Sequence, residues 1–257
     1  MVARVVGVLD AFLDAERDLR VTEIAARLGC SKSVVHRLVT GLAEAGYLAH
    51  HPTTRRYSLG PRAIRIGQAA VGHADIRQRA LPYLRELAAE TGETTTLSLL
   101  KGDQRVYAEQ IESSHSVRQA VQIGAIAQLF AGASGKAILA FLPNGRRAVI
   151  LRQSANAYLS DGSALDSRRL LHELDLVRRR GYATSQSERV QGAASAAAPV
   201  FDHRGNVVAS ISVAGVTVRH GPRELEHFGT SAAAAAERLS AELGWAGHVD
   251  DKAAAGA

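Results

Sequence analysis

Twelve residues near the N-terminus, SKSVVHRLVTGL at positions 31–42, combine side chains whose types and spacing suit work on a polyanion. Val35, Leu38, Val39 and Leu42 fall at i, i+3, i+4 and i+7, the stripe that one buried face of an α-helix requires. The opposite face then presents Lys32, Ser33, His36, Arg37 and Thr40, with Ser31 at the helix start. A merely solvated face, the bland alternative, would mix Glu with Lys, whereas this one has no acid. Arg37 can fork onto the N7 and O6 of guanine, the hydroxyls of Ser33 and Thr40 suit several base edges, and Lys32 suits a phosphate. The expected chemistry is recognition of double-stranded DNA in the major groove.

Such a face is useful only if other elements hold it out. Val5, Val8, Leu9 and Phe12 predict a first helix, and Val21, Ile24, Ala25 and Leu28 a second, on the spacing seen in the third. Thr22 is a candidate cap for the second helix and Ser31 for the third. Gly29 stands where a sharp turn between them needs a permissive backbone, and Gly46 at the C′ position of the third. YLAHHPTTRRYSLG follows as two strand-like runs around a Pro/Thr turn, a β-hairpin tipped by Arg55 and Arg56. Two helices on a tight turn with a hairpin behind them make a winged helix-turn-helix over residues 1–60.

Charge agrees with that placement. The formal net charge is +6 over 257 residues. Residues 1–80 hold 12 Lys and Arg against 7 acids, while the remainder holds 19 against 18, so the excess belongs to the N-terminal third. The single cysteine, Cys30, excludes an internal disulfide framework and a Cys-rich zinc site, and fits a reducing compartment. No apolar run approaches the roughly 20 residues of a membrane helix, and Asp10 and Asp14 interrupt any signal-like stretch. The expectation is a soluble, cytoplasmic protein with no membrane partner.

Gly60 to Gly92 reads as a connector. Pro61 can open a helix, and Pro82 marks either the first turn of a second helix or a kink. Ile64, Ala70 or Val71, and Ile76 are too sparse for a globular core, leaving a solvated spacer or a dimer contact over a linker helix at 61–79. Beyond it, TTTLSLLKGDQRVYAEQI and ASAAAPVFDHRGNVVASISVAG each read as two strands around a tight turn. Helical stretches are expected near 133–142, 144–153, 166–180 and 222–243. Strands joined by hairpins and interspersed with helices predict an α+β domain with an antiparallel sheet over 80–246. The tail at 247–257 has little to bury and is expected to be disordered.

Enzymatic readings fail on their own residues. GASGKA at 132–137 looks like a phosphate loop, but Phe130 stands where Gly is required and Ala137 where Ser or Thr is. The ten histidines show no ligand spacing, and no Gly-x-Ser-x-Gly elbow occurs. Neither an enzyme, a metal nor a cofactor is expected.

Residues 4–70, and VTEIAARLGCSKSVVHRLVT at 21–40 in particular with GYL and RRYSLG after it, resemble the DNA-binding domain of IclR-type transcriptional regulators. LFAGASGKAILAFLP and the stretch from Arg178 to Gly215 resemble the effector-binding domain of that family, so the likeness covers roughly residues 4–245. It implies a GAF-like or profilin-like C-terminal fold, a linker helix that helps pair subunits, a homodimer or tetramer, a pseudo-palindromic operator and a small organic-acid effector. It also implies a pocket built from the loop amides near Ala133 and Ser134, the hydroxyls of Ser185, Ser195 and Ser212, and apolar walls from Leu129 and Ala193. Glu188 and Gly192 match the family's E…G feature; a buried Glu188 there either holds a loop by hydrogen bonds, the commoner role, or contacts the ligand. The sequence departs where some relatives carry an acid at Ser185, a cysteine at Ser195 and a serine at Ala214, which makes this pocket richer in hydroxyls. The alternative is an architectural DNA-binding protein whose C-terminal domain only oligomerises.

Overall fold

The apolar spacing of the N-terminal third produces α1 (Val2–Asp10), α2 (Val21–Leu28) and α3 (Lys32–Glu44). The computed structural model of the chain describes residues 1–13, 15, 17–72 and 75–247, and for 67–72 the backbone alone. Val8, Ile24, Val35 and Val39 are fully buried and form one small core with Phe12, Leu19, Leu48 and Tyr57. Gly29 ends α2 at φ +62°, the left-handed conformation that lets the chain turn directly into α3. Two backbone bonds close α3, from Gly46 N–H to the Ala43 carbonyl and from Tyr47 N–H to that of Leu42, a Schellman end with Gly46 at C′.

The helix starts differ from expectation. Arg20, not Thr22, precedes the first turn of α2, and the Glu23 carboxylate accepts the Arg20 backbone N–H at 2.6 Å. A carboxylate at the third helical position serves an orphan donor as well as a cap hydroxyl would. Ser31 does sit at the cap of α3, but its hydroxyl meets Ser33 Oγ at 3.2 Å and caps no backbone amide.

β1 (Leu48–His51) and β2 (Arg56–Leu59) form the antiparallel wing, from Leu48 opposite Leu59 to His51 opposite Arg56. Leu19 exchanges two backbone bonds with Tyr57 and ties the segment before α2 to the wing. α4 (Pro61–Gly72) follows, and the first compact unit is Met1–Ala74. A single linker helix over 61–79 is therefore not what forms. α5 (Ile76–Thr91) begins a new helix, its first turn capped by the Asp75 carboxylate on Arg77 N–H, and belongs to the second unit, Asp75–Ala257. Pro82 lies inside α5, neither in its first turn nor between two helices.

The second unit is a six-stranded antiparallel sheet with helices on both faces. Its strands are β3 (Thr94–Lys101), β4 (Gln104–Ile111), β5 (Ile126–Gln128), β6 (Ala183–Gln186), β7 (Ala193–Phe201) and β8 (Val207–Val216), ordered β5-β4-β3-β8-β7-β6. The period-2 pattern decides which face is which. Leu97, Ala194, Ala196, Ala198, Ala209, Ile211 and Val213 point to one side, where α5 and α9 (Pro222–Glu242) cover them. The other side packs on α6 (Ala133–Ala140), α7 (Asn144–Gln153) and α8 (Ser167–Arg180). Both expected hairpins and all four expected helices form; the edge strands β5 and β6 were not foreseen. The tail lies outside the described residues from 248 onward.

Candidate functional site

On α3, Lys32, Ser33, His36 and Arg37 are exposed while Thr40 is half-buried, and none of these side chains is paired with an acid among the described residues. Val35 and Val39 anchor the opposite face. With its hydroxyl turned to Ser33, Ser31 leaves the first amides of α3 unsatisfied by side chains, and such amides favour phosphate oxygens. Arg55 is exposed at the wing tip with φ +55°.

Arg56 is not at the tip. It lies in β2 opposite His51, and its Nη1 donates to the Asp18 carbonyl at 2.6 Å and to Glu23 Oε2 at 3.1 Å. Glu23 also receives Arg17 at 3.2 Å. The Arg20 amide first, and then the two cations, hold its carboxyl below the ordinary glutamate range against the pull of burial. Arg56 thus braces the wing against the start of α2, and two arginines adjacent in sequence divide between a surface and a strut.

The C-terminal site lies on the α6 side of the sheet, where Thr94, Thr96, Ser195 and Ser212 alternate with the residues that face α5 and α9. Across four strands, Thr94 pairs with Ala214, Ala214 with Ser195, and Ser195 with Ser185. In the next row Thr96 pairs with Ser212, their hydroxyls 2.6 Å apart. A cavity of about 80 Å³ opens over these rows, and Ala133, Ser134, Ser185, Ala193, Ser195 and Ser212 all line it. Its lid is the loop before β5, where Thr94 Oγ1 donates to the Gln119 carbonyl at 2.5 Å and accepts from Ser113 N–H at 3.0 Å. The amides of Ala133 and Ser134 belong to the first turn of α6, whose N–H groups have no helical acceptor.

Leu129 is the exception. It is fully buried in the second core with α6 and does not line the cavity. Its contribution is backbone: a Cβ on Gly135 would stand 2.7 Å from the Leu129 carbonyl oxygen, so only glycine lets α6 pack there. This explains half of the GASGKA motif, and Lys136 explains the rest. Its buried ammonium donates to Glu173 Oε2 at 2.6 Å and to Glu188 Oε1, while Glu188 Oε2 accepts Gly132 N–H at 2.9 Å. Glu188 therefore holds the turn at the head of α6. Burial alone would raise the Glu173 carboxyl, but Lys136 and Arg169 keep it below its ordinary value.

Sequence reasoning missed Thr94, Thr96, Arg105, Tyr107 and Arg189 as lining residues. Thr94, Thr96 and Ser98 fall on alternate positions of β3, the signal that could have found the first two, although Thr95 between them blurs it. Arg105 and Tyr107 share a face of β4 by the same rule, but that the face is covered depends on loops the pattern does not contain.

The comparisons follow this architecture. Residues 1–52 match the IclR helix-turn-helix domain, and residues 68–241 match the C-terminal domain of bacterial transcriptional regulators of the IclR type. The chain belongs to the IclR family. It is 32% identical over 244 residues to the HTH-type transcriptional regulator KipR of Bacillus subtilis, covering 95% of this chain and 97% of that protein. A crystal structure of an IclR transcriptional regulator from Silicibacter sp. TM1040 superposes with a TM-score of 0.82 at 27% identity, over 95% of this chain and 96% of that one. An IclR homologue from Microbacterium hydrocarbonoxydans, solved in complex with 4-hydroxybenzoate, shares the fold at a TM-score of 0.58 and 22% identity, over 94% and 98% of the two chains. This IclR-family chain is accordingly a DNA-binding transcriptional regulator and not an enzyme. No helix among its described residues is long and apolar enough to cross a membrane.

Proposed function

We propose that this regulator reads a pseudo-palindromic operator through α3, as a homodimer or tetramer in the cytoplasm, and that a small organic acid in the C-terminal cavity sets its affinity for that operator. The observation that carries the DNA half is the acid-free, exposed face of Lys32, Ser33, His36 and Arg37 beside the helix start at Ser31. Thr40 borders the same face, Arg55 reaches a flanking phosphate from the wing tip, and Arg56 supports the wing from behind. Two such heads address half-sites about 34 Å, one DNA turn, apart.

The effector half rests on the cavity. Hydroxyls from four strands line it together with the first turn of α6, whose amides favour an anion. The 4-hydroxybenzoate of the Microbacterium homologue is a carboxylic acid, the same ligand class.

Selection of bound duplexes from a random pool tests the first half. The expected product is an inverted repeat, and Arg37→Ala should fail to enrich it. A thermal-shift screen of small carboxylic acids, repeated with Ser195→Trp to fill the cavity, tests the second. A shift seen in wild type and abolished by the tryptophan supports an effector site; a protein that ignores every acid is the architectural DNA binder instead.

A further inference from the structure

Arg105 is 2% exposed, yet no carboxylate bonds it among the described residues. Its Nη1 donates to Ser98 Oγ at 3.0 Å and its Nη2 to Tyr107 Oη at 3.1 Å, both neutral acceptors. Its Nε has no acceptor at all. A buried guanidinium without a counter-charge is costly, because the protein interior replaces neither its hydration nor its counter-ion. Burial lowers its pKa, Tyr107 works against that, and the neighbouring positive charge of Arg189 adds to the depression.

The surroundings make the imbalance directional. Both arginines lie against the Tyr107 ring, with guanidinium carbons 4.6 and 5.3 Å from its centroid. All three residues line the cavity. Glu188 lines it too, but its oxygens accept from Lys136 and from Gly132 N–H, and no bond joins it to Arg105 among the described residues. Arg105 Nη2 lies 3.8 Å from where a Cβ on Gly132 would stand, beside the head of α6. A guanidinium and a helix N-terminus therefore converge on one spot, each favouring negative charge.

We propose that Arg105 is the charge partner of the ligand: it receives the carboxylate between its own guanidinium and the first turn of α6, and the hydroxyls of Thr96, Ser195 and Ser212 receive a further polar group of the ligand. The inference rests on the effector reading above and narrows it. A cavity lined by both a guanidinium and several hydroxyls suits an acid that carries a second polar group, such as a hydroxy or keto acid.

The test uses the full chain and matched pairs of probes: lactate, pyruvate and glycerate against lactamide, pyruvamide and glyceramide. Binding is read by calorimetry and by melting temperature for wild type, Arg105→Gln and Arg105→Lys. The expected result is that acids bind wild type and amides do not. Arg105→Gln should weaken acid binding by about ten- to a hundredfold, the worth of a charge-assisted pair. Arg105→Lys should fall between, and the unliganded glutamine variant should melt no lower than wild type, because a buried unpaired charge has been removed. Acids that bind Arg105→Gln as tightly as wild type, or amides that bind as tightly as acids, would overturn the role of Arg105 while leaving the effector cavity standing. So would a large drop in unliganded melting temperature in both variants, which would make Arg105 a structural residue. If no acid and no amide binds wild type, the effector reading itself falls and this inference with it.

Discussion

Four arginines of this chain differ in what stands opposite each guanidinium. Arg37 faces solvent on α3, Arg55 faces solvent at the wing tip, Arg56 is spent on Glu23 and the Asp18 carbonyl, and Arg105 is buried with no carboxylate bonded to it among the described residues. Arg37→Ala should cost about 1–3 kcal/mol on the selected operator and little on unrelated DNA, because a forked base contact is sequence-specific. Arg55→Ala should weaken all duplexes alike and reduce the slope of log K against log salt by about 1, the signature of one lost phosphate contact. Binding titrations at several salt concentrations separate the two; identical behaviour of both variants would remove α3 as the specific reader. The buried Lys136 makes a prediction of a different kind. Lys136→Met takes the cation from Glu188 and leaves Glu173 with Arg169 alone, and since both carboxylates are partly exposed the loss should sit at the low end of about 3–5 kcal/mol. In wild type the depressed pKa of Glu173 means that its contribution is fully present above the ordinary glutamate value and is lost as pH falls through the lower, folded value. Urea denaturation between neutral and acid pH should show that decline, and Glu173→Gln should flatten it.

At the scale of elements, what the sequence made legible followed periodicity and turn chemistry. α2 and α3, the wing hairpin, and the β3–β4 and β7–β8 hairpins all carry their own signal: a 3.6- or 2-residue repeat bounded by Gly, Pro or Asp. β5 and β6 do not, for they are three and four residues long and exist because β4 and β7 offer them an edge. The cap of α2 was misplaced for a similar reason, as Glu23 can serve from inside the helix what Thr22 was expected to serve at its start. The break between α4 and α5 follows from Asp75, whose side chain caps a new helix seven residues before Pro82. The pocket was legible in part: its serines share faces with inward strand positions, whereas the exclusion of Leu129 depends on a backbone approach that no pattern contains. That approach can be tested. Gly135→Ala drives a methyl to within 2.7 Å of the Leu129 carbonyl and 2.9 Å of that of Gln128. Neither oxygen can rotate aside as a side-chain tip would, so the substitution should cost about 1–3 kcal/mol, as overpacking does. Thermal or chemical denaturation would show it, and an unchanged melting temperature would mean that α6 is free to shift away from the loop.

For the whole molecule, the two compact units must exchange free energy if the effector is to act on the operator. A ligand can move the DNA equilibrium only by the difference between its affinities for the DNA-competent and incompetent states, however tightly it binds either. Coupling of this sort between sites typically amounts to about 1–3 kcal/mol, a change of roughly 5- to 150-fold. Thermodynamic linkage then requires reciprocity: if an acid weakens operator binding by some factor, saturating operator must weaken binding of that acid by the same factor. Two titrations on the same protein measure this, one following labelled operator with and without the acid, the other following the acid with and without unlabelled operator. Matching factors of either sign would establish coupling, and the sign would separate an effector that releases DNA from one that recruits it. A factor of one in both directions, with the acid bound and the operator bound, would mean that the C-terminal unit takes its ligand without informing the N-terminal one. In that case the acid would stabilise the C-terminal unit by mass action alone and leave operator affinity unchanged.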